Sequence, residues 1–233
     1  DYDKDYLLFA TKESELNETR IGIFTSYLEN RPEPYKGLLH HFAVTRTNQL
    51  AFARENENNK TPKIVLLKDV FDRDSEIKGN ITGELSAEMG PQFSRNSPEK
   101  YVAFLVEEPP RSEVWYLWAL IYPFSESAKL QKIDGPVVTS DDDISFNDLN
   151  FAWHPSHDII FYILQSEDLS NPIYYYNLNS NQKQKLVTNT AQNMYIDISE
   201  AGQKIVFGSQ GEKDSDTPEN TRKAYVADLI IKK

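Results

Sequence analysis

Apolar and aromatic residues run along this chain in bursts of five to ten, and polar turns rich in Pro, Asn, Asp, Gly and Ser separate them. Val, Ile, Phe, Tyr and Trp dominate the bursts, the composition of β-strands. Runs such as Ile159 to Leu164 lack strict apolar–polar alternation, which predicts strands covered on both faces. Helical periodicity is nearly absent. The best helical stretch, Ile77 to Met89, contains two glycines and is poorly patterned.

The bursts recur as a repeat. Each repeat has a short strand, a polar turn, and a second strand ending on an aromatic anchor: Phe9, Phe52, Phe104, Phe161 and Phe207. The anchors are separated by 43, 52, 57 and 46 residues. A polar loop and a third β-rich run follow each anchor, for example Glu113 to Tyr122, Pro172 to Leu178 and Lys223 to Leu229. Several repeats add a weaker fourth run, clearest at Gln182 to Thr190. Repeats of this length built from short strands predict sheets stacked radially around an axis. The expected fold is all-β: a β-propeller of about five four-stranded blades, around residues 1–38, 39–88, 89–146, 147–190 and 191–233, forming one domain. On this count the first repeat lacks its innermost strand and the last its outermost. The ring is then incomplete, or the sequence is part of a longer chain.

The fourth repeat, Phe151 to Thr188, carries a family resemblance. Trp153-His154-Pro155-Ser156-His157-Asp158 stands where the TolB-like, or WD-like, propeller repeat has Trp-Ser-Pro-Asp-Gly. Ile159 to Phe161 match that repeat's second strand and Ile173 to Leu178 its third, and Leu186 with Thr188 roughly match its close. The fifth repeat matches through Ser199 to Gly202, Ile205 to Phe207 and Ala224 to Leu229, and the first three match in outline. The resemblance is to a fold that hosts many functions. It implies a non-enzymatic scaffold binding a protein or peptide, in a cell-envelope assembly and therefore periplasmic or otherwise exported.

Composition narrows the picture without naming a substrate. The 233 residues include 13 Tyr and 12 Phe, large rings suited to filling space between blades. No stretch approaches the roughly 20 apolar residues of a membrane-spanning helix. With zero cysteines there is no disulfide, thiolate metal site or Cys nucleophile. The first residue is Asp rather than Met, so a leader has been removed or the sequence is an excised piece.

The net charge of −11 is concentrated in the loops that join the second and third strands of each repeat. These five loops hold fourteen acidic and four basic side chains. Among the acidic ones are Glu13, Glu15, Glu55, Glu57, Glu107, Glu108, Glu167, Asp168, Asp214 and Asp216. In an up-and-down blade all five loops leave the same end, which predicts an acidic face for a basic partner. The plainer alternative is that acidity there only aids solubility. An acidic surface disfavours nucleic acid, whose phosphates need clustered Lys and Arg.

No catalytic, cofactor or metal residues are expected. There is no nucleophile elbow, phosphate loop or His-Glu-x-x-His pattern. The run Asp141 to Asp143 lacks calcium-loop spacing and reads as a solvated loop. His154 and His157 fall on the turn of the repeat, and the adjacent His40 and His41 would point to opposite faces of a strand. The alternative to a scaffold is a substrate-binding or gating propeller of a larger enzyme, such as a peptidase, with catalysis elsewhere.

Overall fold

The computed structural model describes residues 42–55, 61–79, 81–96, 98–125, 128–138, 150–188, 190–209, 211–212 and 223–230, together with the backbone of 6–13, 18–25 and 31–37. The fold is all-β, with a single short 3-10 turn at Arg73–Ser75 among the described residues. The poorly patterned stretch after Ile77 is turn and then strand.

Among the described residues, five antiparallel sheets of three or four strands follow one another along the chain. The first contains β1 (Tyr6–Glu13), β2 (Glu18–Thr25) and β3 (Arg31–Gly37). The second contains β4 (Phe42–Val44), β5 (Leu50–Glu55) and β6 (Pro62–Leu67). The third has four strands, β7 (Glu88–Phe93), β8 (Tyr101–Glu107), β9 (Trp115–Ile121) and β10 (Lys129–Val138). So does the fourth, with β11 (Phe151–Trp153), β12 (Ile159–Ile163), β13 (Ile173–Asn177) and β14 (Gln182–Lys185). The fifth is built on β16 (Met194–Ile198), β17 (Lys204–Ser209) and β19 (Lys223–Asp228). A short pair, β15 (Thr190–Ala191) with β18 (Gly211–Glu212), continues the β16–β17 ladder in the same register. Among the described residues no strand joins the last sheet to the first, so the ring is open.

The core lies between the sheets rather than within any one. Ala51, Ile64 and Leu66 of the second sheet meet Val102, Phe104 and Leu120 of the third. Ala103, Leu105 and Leu117 of the third meet Trp153, Ile160 and Tyr162 of the fourth. Ile159, Phe161 and Ile163 of the fourth meet Ile196, Ile205 and Phe207 of the fifth. Strands buried on both faces lose their alternation, which is why these runs read as continuous apolar segments.

The anchors are buried, but they do not form one equivalent series. The turn between first and second strands closes with a backbone hydrogen bond at Gln49, Tyr101, Ile159 and Lys204. Three residues beyond each lie Phe52, Phe104, Tyr162 and Phe207. Phe104, Tyr162 and Phe207 pack on the preceding sheet, and Phe52 packs with Phe42 and Val65 on the side away from the third sheet. Phe161 is one residue out of this series and faces the following sheet instead. Side-chain direction in a strand has period two, so a slip of one residue reverses the face. The true anchor of the fourth repeat is therefore Tyr162. Its hydroxyl donates to Asp134 Oδ2 of the preceding sheet at 2.7 Å, and Lys183 pairs with the same carboxylate. Burial, with Asp134 alongside, pushes the Tyr162 phenol far up. The third strand opposes the series with Val65, Trp118, Tyr174 and Tyr225. The rings of Tyr162 and Tyr174 stack at 6.0 Å, and those of Phe207 and Tyr225 at 5.7 Å.

Candidate interaction surface

Antiparallel pairing brings the loops after β8, β12 and β17 to the same end as the entry of each innermost strand. That entry is kinked alike in three consecutive sheets. Gly90, Asn150 and Tyr195 occupy equivalent positions, and all have positive φ, 63°, 52° and 53°. Glycine adopts this conformation freely, whereas tyrosine does so at a cost. Asn150 links its kink to that at Tyr195, whose N–H its Oδ1 accepts at 3.2 Å, while its Nδ2 donates to the Val137 carbonyl of β10 at 3.3 Å. Nothing in the sequence flags this position, since only the backbone is alike.

The acidic loops differ once their contacts are known. Glu107 closes β8, and its Oε1 accepts the Glu113 N–H at 3.1 Å, folding the loop onto itself. Glu108 is already engaged. It accepts the Trp118 indole N–H at 2.7 Å and pairs with Lys132, whose ammonium sits 3.8 Å above the Tyr116 ring. It is thus tied into the third sheet and paired with a cation where it stands.

The loop carrying Glu167 and Asp168 is braced by hydrogen bonds of its own. Ser166 and Asn171 exchange backbone-to-side-chain hydrogen bonds at 3.2 and 2.9 Å. Asp168 Oδ1 accepts the Ser170 N–H at 2.9 Å. Fully buried Asn193, at the entry to the fifth sheet, donates to the Asn171 carbonyl at 2.9 Å and accepts from Thr190 at 2.6 Å. Leu169 is held at φ 57° at the tip, where it is exposed. Glu13 and Glu55 end the strands β1 and β5. Their side chains, and Glu15, Glu57, Asp214 and Asp216, lie outside the described residues.

The opposite end of the sheets is structural. His154 is buried. Its Nδ1 accepts the N–H groups of Ser156 and His157, each at 3.1 Å, so the proton sits on Nε2 and is donated to the Gly202 carbonyl at 3.1 Å. Burial, then the stacked His157 ring, lowers the His154 pKa below its ordinary value. These histidines shape a turn and tie the fourth sheet to the fifth. Asp158, also buried, accepts from Asn179 of its own sheet at 2.7 Å and, across the seam with the third sheet, from Lys100 at 3.2 Å and from Asn96. Arg95 reaches further, to Asp197 and the Ile198 carbonyl on the fifth sheet. Asp141 to Asp143, His40 and His41 fall outside the described residues.

The arrangement of sheets has counterparts of known structure. TolB from Acinetobacter baumannii superposes with a TM-score of 0.59 at 14% identity, over 96% of this chain and 50% of that one. The chain has a TolB-like β-propeller fold. A putative TolB from Agrobacterium tumefaciens gives 0.52 at 13% identity, over 97% of this chain and 78% of that one. An acylaminoacyl peptidase from Pyrococcus horikoshii gives 0.53 at 15% identity, over 95% of this chain but 36% of that one. The chain thus spans about half the length of the first TolB and about a third of the peptidase. No protein-family model and no curated protein sequence matches it.

Proposed function

We propose that this chain is a non-enzymatic propeller scaffold that binds a protein or peptide partner on its acidic loop end, in a cell-envelope assembly outside the cytoplasm. The observation that carries the reading is the hydrogen-bonded, acid-bearing loop Glu167–Asp168 on the same end as Glu107, within a fold shared with TolB. A preformed loop loses little conformational freedom when a partner docks. Its charge favours a basic surface and speeds encounter in a salt-dependent way. The same charge argues against nucleic acid.

The test is to neutralise Glu107, Glu167 and Asp168 together and to measure association with candidate envelope partners at two salt concentrations. Slower association with a flatter salt response supports the reading. Unchanged rates would assign the charge to solubility alone.

A second reading draws on the likeness to the acylaminoacyl peptidase, of which this chain matches about a third. There, a propeller of this kind is one part of an enzyme. Under that reading the chain binds or gates substrate for a catalytic domain elsewhere in its polypeptide. Sequencing the gene outward from both sides decides: an adjoining hydrolase domain favours it.

A further inference from the structure

We propose that Leu169 is the apolar anchor of the docking surface, and that its occupant is a basic amphipathic helix of the partner. The inference rests on the acidic-end reading and adds the contact that makes that surface selective.

The loop between β12 and β13 fixes both backbone groups of its tip. The Leu169 N–H donates to the Ser166 carbonyl at 2.9 Å, and the Leu169 carbonyl accepts the Gln192 N–H at 2.9 Å. The first bond lies within the loop, and the second comes from the segment leading to the fifth sheet. Around them Asp168 Oδ1 accepts the Ser170 N–H, the Ser166 and Ser170 hydroxyls meet at 3.2 Å, and buried Asn193 holds the Asn171 carbonyl. All this bracing holds a residue that suits its position poorly. Leu169 stands at φ 57°, where Gly or Asn fits and a leucine is strained. Asn171, at φ 41°, is the ordinary choice two residues on. Nor does the leucine gain burial in return, since it is 57% exposed. A change to Gly or Asn would relieve both the strain and the exposure. Strain held at an exposed apolar side chain points to use of that side chain.

The neighbours of Leu169 set the occupant's chemistry. Glu167 and Asp168, both exposed, stand directly before it and call for cations beside an apolar contact. A loop tip offers no strand edge, so an extended peptide gains no backbone ladder there. A helix satisfies its own backbone and needs side-chain contacts alone. Its surface grooves receive a single knob such as a leucine, and an amphipathic helix borders its apolar stripe with charge. Val187 gives the contrast. It lies just past β14 at the same end of the same sheet and is wholly exposed, but its backbone is outside the left-handed region and it follows no acidic pair.

The probe is a synthetic peptide of Leu and Lys at helical spacing, about four turns long. An isomer of equal composition without the apolar stripe is the control. Binding to the full natural chain is read by fluorescence polarisation. Leu169→Gly should weaken it about tenfold or more, the worth of one leucine side chain taken out of water. Glycine suits φ 57°, so the melting temperature of L169G stays or rises. Leu169→Met should retain binding, and Val187→Ser should leave it unchanged. Neutralising Glu167 and Asp168 together should weaken binding at low salt and matter little at high salt. Full binding by L169G, an equal loss in V187S, or equal binding of the control isomer overturns the proposal. If only the acid pair matters, the acidic-end reading stands and Leu169 is not its anchor. If L169G loses binding and the acid pair does not, the acidic-end reading falls and the basic half of the proposal with it. Thiol labelling gives an answer without the peptide. Leu169→Cys should label as fast as Val187→Cys in the full chain. Slow labelling at 169 overturns the proposal, because another part of the same protein would then cover the site.

Discussion

The fourth and fifth sheets share a register, a turn geometry and an anchor position, yet their outer faces have opposite fates. In the fourth sheet Phe161 and Ile163 are fully buried against the fifth. In the fifth sheet Val206 stands where Phe161 does and Gly208 where Ile163 does. Val206 is 38% exposed, and the Tyr195 ring lies over Gly208. Residue type follows environment: a covered face carries large apolar side chains, and an uncovered one small or lone ones. The repeat therefore specifies where a side chain points, while its neighbour determines what burial it receives.

The sharpest way to break this comparison is to truncate the two equivalent positions. Phe161→Ala should cost on the order of 3–5 kcal/mol, as should Phe104→Ala. Val206→Ala should cost under about 1 kcal/mol, within the range of surface changes. Chemical denaturation measures both. Equal effects would show that Val206 is covered in solution.

The seam between these sheets offers the next test. Gly202 has a φ of +70°, and a Cβ there would sit 2.5 Å from the His154 ring. Gly202→Ala should therefore cost about 2 kcal/mol through left-handed strain and the collision. A melting temperature within a degree of the parent would refute the tie between His154 and Gly202.

His154 also gives the seam a pH dependence. Its pKa is lowered on folding from the ordinary 6.5, so the unfolded chain takes up the proton first as pH falls. Stability from this group is present above about pH 6.5 and is lost as pH drops through the lower folded value. Denaturation midpoints from pH 7.5 to pH 5 should decline, and His154→Gln should flatten that slope. An identical slope in the variant would assign the decline to other groups.

Smaller effects separate the anchors themselves. Tyr162→Phe keeps the ring but removes the bond to Asp134, costing about 1 kcal/mol. On the acidic side, Glu108→Gln weakens the pairing with Lys132, for a loss below about 1 kcal/mol. It should leave salt-dependent association unchanged, unlike Glu167→Gln. An equal effect of both on association would return Glu108 to the docking surface.

Much of this was legible in the chain. The strands, the turns and the repeat follow from composition and from residues such as Pro155 and Gly202 at fixed offsets. The placement of Phe161 is misleading in the sequence because the ring that fills the anchor place of the fourth repeat belongs to a tyrosine, Tyr162, and an anchor chosen as the last Phe falls one residue short of it. Only the closing bond at Ile159 fixes that register. That Glu108 pairs with Lys132 was not legible for a similar reason, since that partner lies on another strand. The kinks at Asn150 and Tyr195 left no trace in residue type.

By itself the sequence determined what short-range chemistry can encode: β-rich bursts, a five-fold repeat, and an acidic loop after the second strand of each repeat. These depend on neighbours a few residues apart, whose preferences survive in any context. The tertiary structure decided which face each strand buries, which acids are paired, and that buried His154 carries its proton on Nε2. Those outcomes depend on groups that meet only when sheets pack, such as His154 with Gly202 and Tyr162 with Asp134. Burial and hydrogen bonding are properties of the pair and its surroundings, and no single stretch of chain contains both.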